Sequence, residues 1–144
     1  MAQILHVESR VTASHPIDAA FRQAGHDVLT VQTYDAAVSA MAKKGPFAAV
    51  LTGDGYQGDN GKTGITGGQW FERNRLGAQS LLVDLAEQEK ATGKRPVVVA
   101  VAANPEVFAP ANLPIACLRP DAVMDRVATT PAAVVAQVAQ LLPR

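Results

Sequence analysis

Apolar residues occur along this chain in two alternating patterns, one typical of strands and one typical of helices. Short runs in which nearly every residue is apolar predict five strands, at residues 4–7, 28–31, 47–52, 97–101 and 115–118. Between these runs, apolar residues recur three or four positions apart, as Ile17, Ala20, Phe21 and Ala24 do. Strand and helix therefore alternate through the whole chain.

The predicted helices begin near Ser14, Asp35, Trp70 or Phe71, Asn104 and Thr130. Side chains of Ser, Asp, Asn and Thr at such positions can accept the free N–H groups of a first helical turn. The third and fourth apolar runs contain almost no polar residue, as expected of strands with both faces covered. The alternation predicts an α/β fold in which helices cover both faces of a parallel sheet.

The size and charge of the chain exclude several classes of function. Its 144 residues and 15.1 kDa suit a single domain over residues 1–144. Thirteen basic residues balance thirteen acidic ones, which argues against a nucleic-acid surface and against polybasic membrane attachment. We expect a cytoplasmic protein, because no apolar run reaches about 18 residues, no secretory signal is recognisable, and the single cysteine, Cys117, has no partner in the chain for a disulfide.

Parallel sheets bind ligands outside the carboxyl ends of their strands, and charged residues follow several of the predicted strands. Glu8 follows the first strand, Asp54 comes shortly after the third, and Arg119 with Pro120 follows the fifth. His6 lies inside the first strand, where we expect a hydrogen-bonded core residue. The charged residues are the first candidates for a functional site.

A long loop over residues 53–68 holds seven of the eleven glycines. A loop of this length inside a compact domain often has a function of its own. It contains Lys62 in a Gly-Lys-Thr sequence, but Tyr56 stands where a phosphate-binding P-loop has its first glycine. The loop therefore offers a cation without the spacing of a P-loop.

This layout resembles the receiver domain of bacterial response regulators, with Glu8 after strand one, Asp54 near the end of strand three and Arg119–Pro120 after strand five. The resemblance implies a flavodoxin-like, doubly wound sheet of order 2-1-3-4-5 and a signalling module rather than an enzyme. It implies phosphorylation by a histidine kinase, with Asp54 as acceptor and with Mg²⁺ held by Glu8 and Asp54. It also implies that a kinase or downstream effector docks on the fourth helix, fifth strand and fifth helix, and it leaves a homodimer open.

Several positions depart from the receiver pattern. Ser9 replaces the second acid, which weakens a Mg²⁺ site because hard cations prefer charged oxygens. Thr52 or Gly53 falls at the tip of the third strand, so Asp54 comes one or two places late. Residues 102–103 are alanines where the family has a hydroxyl, and arginine replaces lysine before the proline. The sequence predicts a degenerate receiver that keeps the fold and has lost or altered the phosphorylation chemistry.

Two alternatives stay open. The domain could be an active receiver that accepts phosphate on Asp54. The carboxyl edge and the long loop could instead bind a small anion, such as a nucleotide, through Lys62 and Arg119. Arg119 could also be structural, in an ion pair with Glu8 or Asp54.

Overall fold

Five parallel strands form one sheet in the computed structural model, which describes residues 2–54 and 70–142. The strands are β1 (Gln3–Val7), β2 (Asp27–Val31), β3 (Ala49–Thr52), β4 (Val97–Ala102) and β5 (Ala122–Asp125). Their order across the sheet is β2-β1-β3-β4-β5. The predicted parallel sheet and its doubly wound order are confirmed.

Among the described residues, four α-helices cover the sheet: α1 (Val11–Gln23), α2 (Tyr34–Lys44), α3 (Trp70–Thr92) and α4 (Pro131–Leu141). On one face, the buried residues of α1 and α4 include Ile17, Phe21, Val134 and Val138. On the other face, the buried residues of α2 and α3 include Ala37, Ala40, Leu81, Leu82 and Leu85. In the part of the chain that the structure describes, no helix combines the length and the apolar character needed to cross a membrane.

The central strand β1 serves both layers. Leu5 and Val7 pack on the side of α2 and α3, whereas Ile4 packs on the side of α1 and α4, because successive side chains of a strand point to opposite faces. His6 is only 2% exposed and contacts Asp18 of α1. The prediction that His6 is a hydrogen-bonded core residue is confirmed.

The predicted fifth strand is wrong. Residues 115–118 form turns and irregular chain, and β5 follows them. The apolar run at residues 115–118 is misleading because its residues do not share one environment. Cys117 and Leu118 are buried against the α2–α3 side of the core, whereas Ile115 is 99% exposed. β5 itself gives a weak signal because it is a four-residue edge strand in which inward and outward residues alternate.

Asp121 fixes the start of β5. Its N–H donates to the Val98 carbonyl at 2.7 Å, and its carboxylate accepts from the Val98 N–H at 2.9 Å and pairs with the Arg95 guanidinium. Just before it, the Leu118 N–H donates to the Leu82 carbonyl of α3 at 3.0 Å. These contacts hold residues 118–121 near the amino end of β4, away from the carboxyl edge.

The predicted fourth helix is replaced by a single 3₁₀ turn, Pro105–Phe108, which buries Phe108 in the core. Pro110 and Pro114 follow within a few residues. Because proline lacks an N–H and clashes with the preceding turn, an α-helix cannot continue through this segment. The docking face expected from the resemblance therefore lacks its α-helix.

The first helix begins earlier than predicted. It starts at Val11 rather than after Ser14, and Pro16 lies inside it. The N–H groups of Ala13 and Ser14 donate to the Arg10 carbonyl at 3.0 and 3.1 Å, so the first turn is closed before the proline is reached.

Candidate functional site

Charged side chains meet where the strands end. The residues next to the strand ends are Glu8 after β1, Gly53 and Asp54 after β3, and Arg126 after β5. The N–H groups of Glu8, Gly53 and Arg126 donate to carbonyls of neighbouring strands at 3.0, 2.9 and 2.9 Å, which keeps these residues in line with the sheet. We refer to Glu8, Gly53, Asp54 and Arg126 as the carboxyl-edge cluster.

Glu8 and Arg126 form an ion pair across the sheet edge. Glu8 Oε1 lies 3.3 Å from Arg126 Nη1. Glu8 is 5% exposed, whereas the arginine side chain keeps 22% of its surface in solvent. The pair thus joins a buried carboxylate to a partly solvated cation, and it links the ends of β1 and β5.

Burial raises the pKa of Glu8 above its ordinary value, because it disfavours the charged carboxylate. The charges of His6 and Arg126 and a backbone hydrogen bond from Arg10 oppose the rise, and the nearby Asp54 adds to it. Arg126 therefore offsets only part of the burial penalty, and Glu8 is held at a cost in free energy.

The Glu8 carboxylate lies directly over Gly53. A Cβ atom at residue 53 would stand 1.8 Å from Glu8 Oε2 and 3.0 Å from its Cδ. Any other residue here would force the buried glutamate to move, because real Cβ atoms do not come so close to other atoms. Gly53 follows the last residue of β3, so a glycine and the side chain of Glu8 share the tip of this strand, where the resemblance to receivers puts the acceptor position at Thr52 or Gly53.

Asp54 turns toward the loop after β4. Its Oδ2 accepts a hydrogen bond from the Asn104 N–H at 2.7 Å. The side chain is half-buried, and it is close enough to Glu8 to raise the pKa of that residue. Asp54 thereby fixes the start of the 3₁₀ turn. Its roles as phosphoacceptor and as Mg²⁺ ligand with Glu8 stay predictions.

Over residues 2–54 and 70–142, no three His, Cys, Asp or Glu side chains are grouped closely enough to hold a metal ion. Glu8 and Asp54 are thus a pair without a third ligand among the described residues. A Mg²⁺ ion bound there would need water, backbone oxygens or a phosphoryl group for its other ligands.

The cation of the cluster is not the one the sequence suggested. The sequence predicts Arg119 after the fifth strand, but Arg119 precedes β5, because the strand begins at Ala122. The residue that follows β5 and pairs with Glu8 is Arg126. Lys62 lies outside the described residues. Anion binding by Lys62 and Arg119 stays a prediction, and Arg119 is not next to the end of β5.

Arg126 could have been found from the sequence. Residues 122–124 form a short apolar run that ends in charged residues, just as β1 ends in Glu8. The Arg119–Pro120 pair is the misleading signal, because an arginine before a proline matches the receiver pattern, whereas Arg126 is followed by Val127.

A second polar cluster lies inside the molecule, between β1, α1 and β2. His6 Nδ1 donates to Asp18 Oδ1 at 2.7 Å, and Thr30 Oγ1 donates to Asp18 Oδ2 at 2.6 Å. Burial raises the pKa of Asp18, but these hydrogen bonds and the charge of His6 outweigh it, so the pKa lies below its ordinary value. Sequence reasoning missed Asp18, although it falls on the inward stripe of α1 with Ser14 and Phe21.

Solved structures share this architecture, although no protein-family model and no curated protein matches the chain. A CheY-like receiver domain from Methylobacillus flagellatus superposes with a TM-score of 0.60 at 19% identity, covering 98% of each chain. An orphan response regulator of H. pylori superposes with a TM-score of 0.66 at 14% identity, covering 98% of this chain and 96% of the other. The chain has the receiver fold.

A third structure with the receiver fold is described as an atypical orphan response regulator with a phosphorylation-independent regulatory mechanism. It superposes with a TM-score of 0.63 at 16% identity, covering 97% of this chain and 94% of the other. At such identities the likeness shows the fold, and the chemistry has to be argued from this chain's own residues.

Proposed function

We propose that this chain is a receiver-fold signalling module that binds a protein partner without needing aspartyl phosphorylation, and that it is not an enzyme. The observation that carries the proposal is the Glu8 carboxylate lying over Gly53 at the end of β3. A phosphoacceptor needs open space in front of its carboxylate. At the tip of β3 the chain has no carboxylate, and the space over Gly53 holds a buried side chain already paired with Arg126.

Neighbouring positions support the same proposal. Ala102, at the end of β4, is fully buried and has no hydroxyl to contact a phosphoryl oxygen. Ser9 leaves Glu8 as the one acid after β1. Phosphoryl transfer depends on positioning and on neutralisation of charge by a metal, and both are weakened here.

Treatment of the full chain with acetyl phosphate and Mg²⁺ tests the proposal. We expect the intact mass to stay unchanged, while a receiver domain with a complete acidic site is phosphorylated in parallel. The matched control is Asp54→Asn. An adduct of one phosphoryl group that forms on the wild-type chain and disappears in Asp54→Asn would show that Asp54 is an active acceptor and would overturn the proposal.

For the partner surface we propose the side of the molecule formed by β5 and the segment before it. Ile115 and Val127 are 99% and 84% exposed, and Val123 on the edge strand is also exposed. Single exposed apolar residues are common, but Val123 and Val127 lie on and just after the edge strand, and Ile115 lies in the segment that leads into it. We propose that the module acts in the cytoplasm, where a histidine kinase or effector would meet it.

Charge substitution tests the surface. Once a partner is identified, Val127→Glu should weaken its affinity at least tenfold, since a charge would be buried in the contact. The matched control is Val11→Glu, an exposed valine at the start of α1. Equal effects of the two variants would contradict this location. Sedimentation of the chain alone separates a partner surface from a homodimer surface.

A further inference from the structure

A cavity of about 220 Å³ lies at the opposite edge of the sheet, between the ends of α2 and α3. Its apolar lining comes from Met41, Pro46, Phe47, Val50, Leu85 and Pro96. Phe47, Val50 and Leu85 are buried core residues, so the inner wall is held by the packing of the domain. The cavity is therefore a formed feature of the fold and lies apart from the carboxyl-edge cluster.

The chain makes this space where α2 ends. A Cβ at Gly45 would lie 2.6 Å from the Met41 carbonyl oxygen, so the backbone turns tightly against the helix end. Gly45 and Pro46 then form one wall, and Lys94 to Pro96, after the end of α3, form the other. The lining thus comes from two stretches of the chain, residues 41–50 and 85–96.

Three polar side chains stand at this cavity: Gln88, Lys94 and Arg95. Arg95 is already paired, with Asp121 and at 3.6 Å with Glu89. Within the part of the chain described, the Lys94 ammonium and the Gln88 amide make no hydrogen bond or ion pair. A cation and an amide donor are therefore available at the rim of an apolar cavity.

Around the rim, Glu89 and Asp121 balance Arg95, and the lysines add positive charge beyond that balance. Lys43 and Lys44 occupy the last turn of α2, and Lys90 occupies the last turn of α3. The carbonyl ends of the two helices oppose an anion, but each helix end carries only about half an elementary charge, whereas each lysine carries a full one. The rim therefore favours an anionic group over a cationic one.

We propose that this cavity binds a small carboxylate with a single-ring or branched apolar body. The body would contact Met41 and Leu85, and the carboxylate would accept hydrogen bonds from Lys94 and Gln88. The cavity is smaller than the roughly 300–1,000 Å³ of typical drug-sized sites, which limits the ligand to about one ring. This site is independent of the proposed signalling function.

NMR titration of the full chain with cinnamate tests the proposal. We expect saturable shifts of the amides of Phe47, Gln88 and Lys94 and of the Met41 methyl group. A ligand of this size should bind with Kd of about 1 mM. Cinnamamide, which has the same shape without the charge, should bind at least fivefold more weakly.

Two exposed lysines provide a matched pair of variants. Lys94→Gln should weaken cinnamate binding about fivefold and leave cinnamamide binding unchanged, whereas Lys43→Gln, which removes a rim charge that does not line the cavity, should weaken cinnamate binding less than twofold. The proposal is overturned by the absence of saturable shifts at these residues up to tenfold above the expected Kd. It is equally overturned by equal binding of cinnamate and cinnamamide, or by equal effects of the two lysine variants.

Discussion

Two buried carboxylates that both interact with His6, Asp18 and Glu8, lie in different electrostatic surroundings. Asp18 accepts hydrogen bonds from His6 and Thr30, and its pKa is lowered. Glu8 has an ion pair of 3.3 Å with Arg126, and its pKa is raised. The first carboxylate is stabilised in its charged form, and the second is held in spite of its charge.

The opposite pKa shifts indicate a structural role for Asp18 and a place in the candidate site for Glu8. The Asp18 cluster ties α1 to β1 and β2, and its polar atoms are matched in the way expected of a core. Glu8 lies at the edge where parallel sheets bind ligands, and perturbed carboxylates gather at such sites. We therefore expect substitutions at Asp18 to change stability most, and substitutions around Glu8 to affect the edge of the sheet.

The largest effect should come from Asp18→Ala. It leaves the buried His6 and the half-buried Thr30 without their acceptor, and because each hydrogen bond to a charged group contributes about 1.5–3 kcal/mol, the loss should be about 3–5 kcal/mol. Urea unfolding measures this loss. Asp18→Asn keeps an acceptor oxygen and should lose less than half as much. Equal losses in the two variants would show that the charge, rather than the hydrogen bonds, dominates.

Gly53→Ala should come next, at about 2 kcal/mol, because the new methyl group displaces the Glu8 carboxylate. The control is the same substitution in a Glu8→Ala background, where the space is free. A double-mutant cycle by urea unfolding should give a coupling of more than about 1 kcal/mol. Additive effects would mean that Glu8 does not lie over Gly53 in solution.

Arg126→Ala should cost about 1 kcal/mol, a modest amount because the arginine is partly solvated. It should also raise the pKa of Glu8 further, since the charge of Arg126 opposes that rise. NMR titration of the Glu8 carboxyl carbon reports the change. Arg126→Lys should return most of the wild-type pKa, and an unchanged pKa in Arg126→Ala would rule out the ion pair.

A smaller effect is expected in the pH dependence of stability. The pKa of Glu8 in the folded chain is raised above its ordinary value of 4.5. The contribution of Glu8 to the free energy of unfolding is therefore most favourable below pH 4.5, and it declines as the pH rises from 4.5 to the folded pKa. Asp18 has the opposite sign: its contribution is present above 3.8 and is lost as pH falls through the lowered folded pKa.

Unfolding midpoints of the wild-type chain and Glu8→Gln at several pH values test this sign. As the pH rises above 4.5, the unfolding midpoint of Glu8→Gln should increase relative to that of the wild-type chain. A shift in favour of the wild-type chain would mean that Arg126 more than compensates for burial.

The sequence was sufficient for the fold and only partly sufficient for the site. Local sequence patterns are enough to predict the parallel sheet. The continuous apolar run at residues 97–101 indicates a strand, and the apolar residues three and four positions apart in α1 indicate a helix, and both signals come from neighbouring residues. β5 could not be predicted, because an edge strand of four residues has little periodicity and Leu118, which looked like strand, packs on α3. Because the predicted strand lies too early in the chain, the sequence predicts Arg119 as the cation of the site, whereas the structure has Arg126 there.

Contacts between distant residues were also beyond the sequence. The approach of Glu8 to Gly53 depends on the rotamer of one side chain and the register of two strands. Likewise, Asp18 meets His6 and Thr30 only once α1 lies across β1 and β2. A pattern in the chain can place these residues on a face, but it cannot show that they touch.

The anchoring of Asp121 has a practical consequence. Because its backbone and carboxylate both bind Val98, the alignment of β5 does not depend on the turn-rich stretch at residues 109–117. That stretch can tolerate insertions at its exposed positions near Ile115 while Arg126 stays next to Glu8. An insertion there would therefore alter the proposed partner surface at Ile115 and leave the carboxyl end of the strand, with its ion pair, undisturbed.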